Sequence, residues 1–162
     1  MKHILALAIT IFALALRSPA QGSATFAADS ILMFDGSFKN MKLQAQNLKK
    51  PYMIVFGASW CAPCHAMRRD VFTNTAIAQF TNDHYFVYDL DLESFEGLEI
   101  NNEFQVNQLP TIKFFDYTGK ELETVTGLMD VNYLYKKLRV NAGIPVSRVY
   151  ESQEVTPAPA EE

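Results

Sequence analysis

Apolar positions fall at helical spacing at Phe38, Met41, Ala45 and Leu48, with Ser37 as N-cap before them and Pro51 to stop the helix after them. Residues 52–56 follow as an unbroken apolar run of strand length, the pattern of a central strand covered on both faces. A sharp break at Gly57-Ala58-Ser59 leads into Trp60-Cys61-Ala62-Pro63-Cys64. The stretch on to Phe72 reads as a helix, with Pro63 in the first turn, where backbone amides lack intrahelical partners anyway. Asn74 or Thr75 caps a shorter helix through Ala76, Ile77 and Phe80; residues 85–89 read as a second buried strand and residues 98–104 as a weaker helix. Residues 111–115 and 121–125 flank Tyr117-Thr118-Gly119-Lys120, a hairpin signal. Asp130 then caps a helix with Val131, Leu134, Tyr135 and Leu138 on one face, ended by Gly143 and Pro145. The alternation predicts an α/β fold, one sheet with helices on both faces.

The two ends of the chain depart from this pattern. Residues 4–16 are apolar except for Thr10, follow Lys2, and are too short for a bilayer core, which needs about 20 apolar residues. Ser18-Pro19-Ala20 supplies small residues at a cleavage site, so residues 1–20 read as a signal peptide and residues 21–27 as a linker. The folded domain is expected over residues 28–149. Residues 150–162, with four glutamates and two prolines, read as a disordered acidic tail. The expectation is an exported protein, periplasmic or secreted, not stably inserted in a membrane once the signal is cleaved, and monomeric. Fourteen Lys and Arg against eighteen Asp and Glu give a net charge of −4, which argues against a basic nucleic-acid-binding face.

The chemistry concentrates in the two cysteines, three positions apart. At i and i+3 on a helix's first turn they can close a disulfide with little backbone change. The first sits where unpaired amides and the helix dipole favour a thiolate, so Cys61 is the expected attacking sulfur. Cys64, one turn in and more buried, is the expected resolving thiol. A purely structural bridge is disfavoured, because so small a ring constrains the unfolded chain little. Cys61-Ala62-Pro63-Cys64-His65 also fits the c-type haem attachment pattern, with Met67 or Met129 as nominal axial ligand. A zinc set would draw on Cys61, Cys64, His65 and His84, though adjacent Cys64 and His65 suit one ion poorly. A non-catalytic peptide-binding module is a further alternative, and on the residues alone these readings stay open.

From about Ile31 to Val149 the sequence resembles the thioredoxin-like family. Trp60-Cys61-Ala62-Pro63-Cys64 is similar to its W-C-x-P-C active site, and Leu109-Pro110-Thr111 to its cis-proline loop. Gly119-Lys120 matches the hairpin turn, and Gly127 the glycine after the last strand. The stretch from Phe38 to Phe72 resembles an exported subgroup that includes the periplasmic C-terminal domain of the DsbD interchange protein. The resemblance implies a central mixed β-sheet flanked by helices and a thiol–disulfide oxidoreductase, with reduction of protein disulfides favoured over oxidation or isomerisation. Cys61 and Cys64 would be catalytic, Ala62 and Pro63 would tune their redox behaviour, and Trp60, Leu109, Pro110 and Gly127 would line a substrate groove, with Pro110 cis. No metal and no cofactor beyond the redox-active disulfide is implied; the partners are protein disulfides or dithiols and a membrane-bound electron donor or acceptor. One departure stands out. The family's buried aspartate falls on Val55 and its lysine partner on Asp89, which leaves Asp89 or water as proton acceptor and His65 as a candidate modulator.

Overall fold

A computed structural model describes residues 29–146. The expected signal peptide, linker and acidic tail lie outside the described residues. Within them run α1 (Phe38–Leu48), β1 (Tyr52–Gly57), α2 (Ala62–Asp70), α3 (Thr75–His84), β2 (Phe86–Asp91), α4 (Phe95–Phe104), β3 (Thr111–Phe115), β4 (Glu121–Thr126) and α5 (Val131–Asn141). The four strands form one sheet in the order β2-β1-β3-β4. β1 is parallel to β2 and antiparallel to β3, and β4 is antiparallel to β3, so the sheet is mixed.

Every residue of β1 is buried, as an apolar run in a central strand requires. Its side chains alternate between two cores. Met53 and Val55 join Met67 of α2, Ile77 of α3 and Leu134 and Leu138 of α5 on one face. Tyr52, Ile54 and Phe56 join Phe38, Met41 and Ala45 of α1 and Ile100 of α4 on the other. Helices therefore cover both faces of a thioredoxin-like α/β sheet. Ser37 caps α1 by accepting from the Asn40 amide, and the helix closes at Lys49, in left-handed conformation (φ 50°), just before Pro51. Leu48 is 66% exposed, so the apolar stripe of α1 stops at Ala45.

The elements between β1 and β3 differ in extent from the sequence pattern. α3 runs on past Phe80 to His84, and Tyr85 is not in the following strand. Tyr85 instead caps α3, and its hydroxyl donates to the Leu138 carbonyl at 2.7 Å, tying α3 to α5. α4 begins at Phe95, three residues early, because Ser94 caps it by accepting from Gly97 N at 2.9 Å while donating to the Asp91 carbonyl at 2.7 Å. Phe95 and Leu98 both face solvent, so an apolar stripe could not mark this start. The helix lies so close to the end of β2 that a Cβ on Gly97 would stand 1.9 Å from the Asp91 carbonyl oxygen.

Candidate active site

β1 ends at Gly57, and the chain turns through Ala58-Ser59-Trp60 into α2. Cys61 is the N-cap of that helix, with extended backbone (φ −80°, ψ 92°), and its Sγ accepts from the Cys64 amide at 3.2 Å. Pro63 occupies the first turn, as the sequence predicts. Cys61 and Cys64 are joined as a disulfide with Cα atoms 5.3 Å apart. The expected difference in burial is absent: Cys61 is 3% and Cys64 2% exposed. Both cysteines share a buried cluster with Ala58, against which Leu109 packs, so what distinguishes them is backbone position. Cys61 takes the capping site where the free amides of the helix end converge; Cys64 sits inside the first turn. Ala62 and Pro63, between them, are exposed.

The loop before Cys61 is held from two sides. Glu93, just beyond β2, accepts from both the amide and the hydroxyl of Ser59, the amide bond being 2.9 Å. His65 approaches the Ser59 carbonyl with Nε2 at 2.8 Å; a carbonyl only accepts, so Nε2 donates. His65 thereby braces the active-site loop from α2. Ser59 and Glu93 carry no motif and come together only through the β1–β2 pairing, so nothing in the linear sequence marks them.

Leu109 and Pro110 approach from the loop before β3. The Leu109–Pro110 peptide is cis, Pro110 is buried, and its carbonyl accepts from Gly127 N at 2.8 Å. Between this loop and Trp60 lies a groove of about 560 Å³ lined by Trp60, Leu92, Val106, Gln108, Leu109 and Gly127. Trp60 is 70% exposed and is no core residue. Gly127 has φ +97° and nothing within 4 Å of a Cβ, so the turn, and not space in the groove, demands glycine there. The structure thus gathers Cys61, Cys64, Trp60, Leu109, Pro110 and Gly127 at one end of the sheet.

Other candidates are placed elsewhere. His84 stacks on Phe80 at 4.3 Å, on α3, and Met67 and Met129 are packed in the core. Among the described residues no group of His, Cys, Asp and Glu is arranged to hold a metal ion. Among the same residues no helix is long and apolar enough to cross a membrane. Val55 is buried, in register with Asp89, and Asp89 forms an ion pair with Arg68 at 2.5 Å.

Comparisons with known proteins agree with this geometry. A family model described as a thioredoxin-like domain matches residues 38–141. The thiol:disulfide interchange protein DsbD of Campylobacter jejuni is 30% identical over 115 residues, 69% of this chain and 20% of that protein. The chain thus spans about a fifth of the length of that relative. Among solved structures, the DsbH oxidoreductase superposes with a TM-score of 0.63 at 18% identity, covering 83% of this chain and 99% of the other. A candidate disulphide isomerase from Bacteroides thetaiotaomicron superposes with a TM-score of 0.62 at 27% identity, covering 70% of this chain and 94% of the other.

Proposed function

The chain belongs to the thioredoxin-like domain family, and we propose that it is an exported thiol–disulfide oxidoreductase that reduces protein disulfides. The observation that carries this reading is the position of the Cys61 sulfur. It caps a helix, where a thiolate is favoured, directly after Trp60, which lines an open groove. In the reduced protein the Cys61 thiolate attacks one sulfur of a substrate disulfide. The substrate's S–S bond breaks, a Cys61–substrate mixed disulfide forms, and the departing substrate thiolate takes a proton from solvent. Cys64 then loses its proton and attacks the Cys61 sulfur, closing the Cys61–Cys64 bond and releasing the second substrate thiol. Two electrons pass to the substrate, and a partner dithiol of lower potential restores the protein.

An extended substrate segment lies along the Leu109–Pro110 loop, with Trp60 and the Gly127 turn as its walls. Ala62 and Pro63 form the ring between the cysteines and tune its redox behaviour. A periplasmic or secreted location, with a membrane-bound dithiol as electron donor, is supported by the leader-like N-terminal sequence and by the likeness to interchange proteins. The test is trapping. Reduced Cys64→Ser protein mixed with insulin is expected to accumulate a mixed disulfide through Cys61, whereas Cys61→Ser protein traps almost none. Equal trapping by both variants, or by neither, overturns the assignment.

A further inference from the structure

The last residue of β1 is a glycine in an otherwise filled strand, and a side chain from another element occupies the space it leaves. The Arg68 guanidinium lies against Gly57, with Nη2 and Nη1 at 3.0 and 3.3 Å from where a Cβ would stand. Its position is fixed from the next strand, where Asp89 accepts from Nη2 at 2.5 Å. Arg68 follows Cys64 by one helical turn on α2, a spacing that puts Cβ atoms about 6 Å apart on one helix face. Gly57 directly precedes Ala58, which shares a buried cluster with Cys61 and Cys64. A permanent cation carried by the last turn of the cysteine-bearing helix is therefore wedged against the end of β1, four residues before Cys61, with an anion behind it.

We propose that the Arg68–Asp89 pair sets the redox poise of the Cys61–Cys64 couple: Arg68 favours the thiolates of the reduced form, and Asp89 moderates it by holding and partly neutralising the guanidinium. This rests on the disulfide-exchange reading above. A cation near the start of this helix favours a thiolate there, hence the reduced protein, and makes the couple more oxidising; the disulfide, being neutral, gains nothing. The other charged groups around the helix start are otherwise engaged. Glu93 and His65 bind Ser59, Asp91 accepts from the Glu93 amide, and Arg69 pairs with Asp70 at the surface. Asp89, bonded to Arg68, is assigned as a positioning residue. Both side chains of the pair are 31% exposed, so solvent screens the effect without abolishing it.

The signs of two substitutions separate this role from a merely structural one. Equilibration with glutathione is expected to shift in Arg68→Met by roughly three- to tenfold toward the disulfide, a tenfold change being about 30 mV for a two-electron couple. Asp89→Asn is expected to shift the other way, toward the dithiol, because the cation is then uncompensated. Arg68→Lys, which keeps the charge, should stay within about twofold of wild type. Thiolate absorbance followed against pH should rise later in Arg68→Met and earlier in Asp89→Asn. No shift in either variant, or shifts of the same sign, overturns the proposal; if Arg68→Met fails to fold, the direction of Asp89→Asn decides alone. A wild-type protein that does not exchange with glutathione at all sinks the functional reading itself, whereas normal wild-type exchange with unmoved variants sinks only the role of the pair.

Discussion

At Gly97 a single methyl group has nowhere to go, since its carbon would stand 1.9 Å from the Asp91 carbonyl oxygen. Backbone cannot yield as a flexible side chain would, so Gly97→Ala has to lift α4 from the end of β2. A loss of about 3 kcal/mol is expected, seen in thermal denaturation as a fall of roughly 10 °C. A change below about 2 °C would mean that α4 accommodates the methyl freely. The residues proposed to do chemistry are of the opposite kind. Cys61 and Cys64 declare themselves by spacing, and Pro63 by its tolerance in a first turn. Glu93, Ser59 and Arg68 do not, because what makes them matter is which strand or helix stands next to them. Even the cysteines hold a difference: their burial is equal, and only the capping position of Cys61 separates them.

At the scale of elements, the sequence is most informative where one face is apolar and least where packing is done by small or polar groups. β1, β3 and the cap of α5 follow from pattern alone. The start of α4 does not, because Gly97 and Ile100 are its buried residues while Phe95 and Leu98 face solvent. Tyr85 reads as strand yet works as a strut, its hydroxyl on Leu138 joining α3 to α5 in the core. Tyr85→Phe removes that donor and leaves the Leu138 carbonyl with the Ala142 amide alone, and is expected to cost about 1 kcal/mol in denaturant unfolding. The loop before Cys61 is an element in the same sense, held by Glu93 and His65. Glu93→Ala frees Ser59 on one side, and exchange with insulin should slow by several-fold while exchange with glutathione, which needs no ordered groove, changes less. Equal slowing on both would place the effect of Glu93 on the thiols themselves.

The whole molecule carries a signature of its buried phenols. Burial, with Glu103 and Asp116 nearby, pushes the Tyr52 phenol up to about 12. Burial, followed by the Glu96 carboxylate, pushes Tyr88 up to about 12. Burial alone raises Tyr85 further. An unfolded tyrosine ionises near pH 10, so the stability these groups contribute is fully present below about pH 10 and is lost as pH climbs toward the folded values. Denaturant unfolding across about pH 8 to 11 should show stability falling over the upper part of that range, with a shallower fall in Tyr85→Phe; an unchanged slope would mean that the Tyr85 phenol ionises freely in the folded protein.

The claim that joins sequence, fold and site is that the Cys61–Cys64 bridge is a working redox couple of a reductant. The reduction potential of the wild-type pair, obtained by equilibration against graded glutathione and dithiothreitol mixtures, tests it most directly. Full interconversion of dithiol and disulfide at a potential near about −270 mV is the result expected. A bridge that stays closed to below about −300 mV would make it structural, and a potential near about −120 mV would make the protein an oxidant; either contradicts the claim.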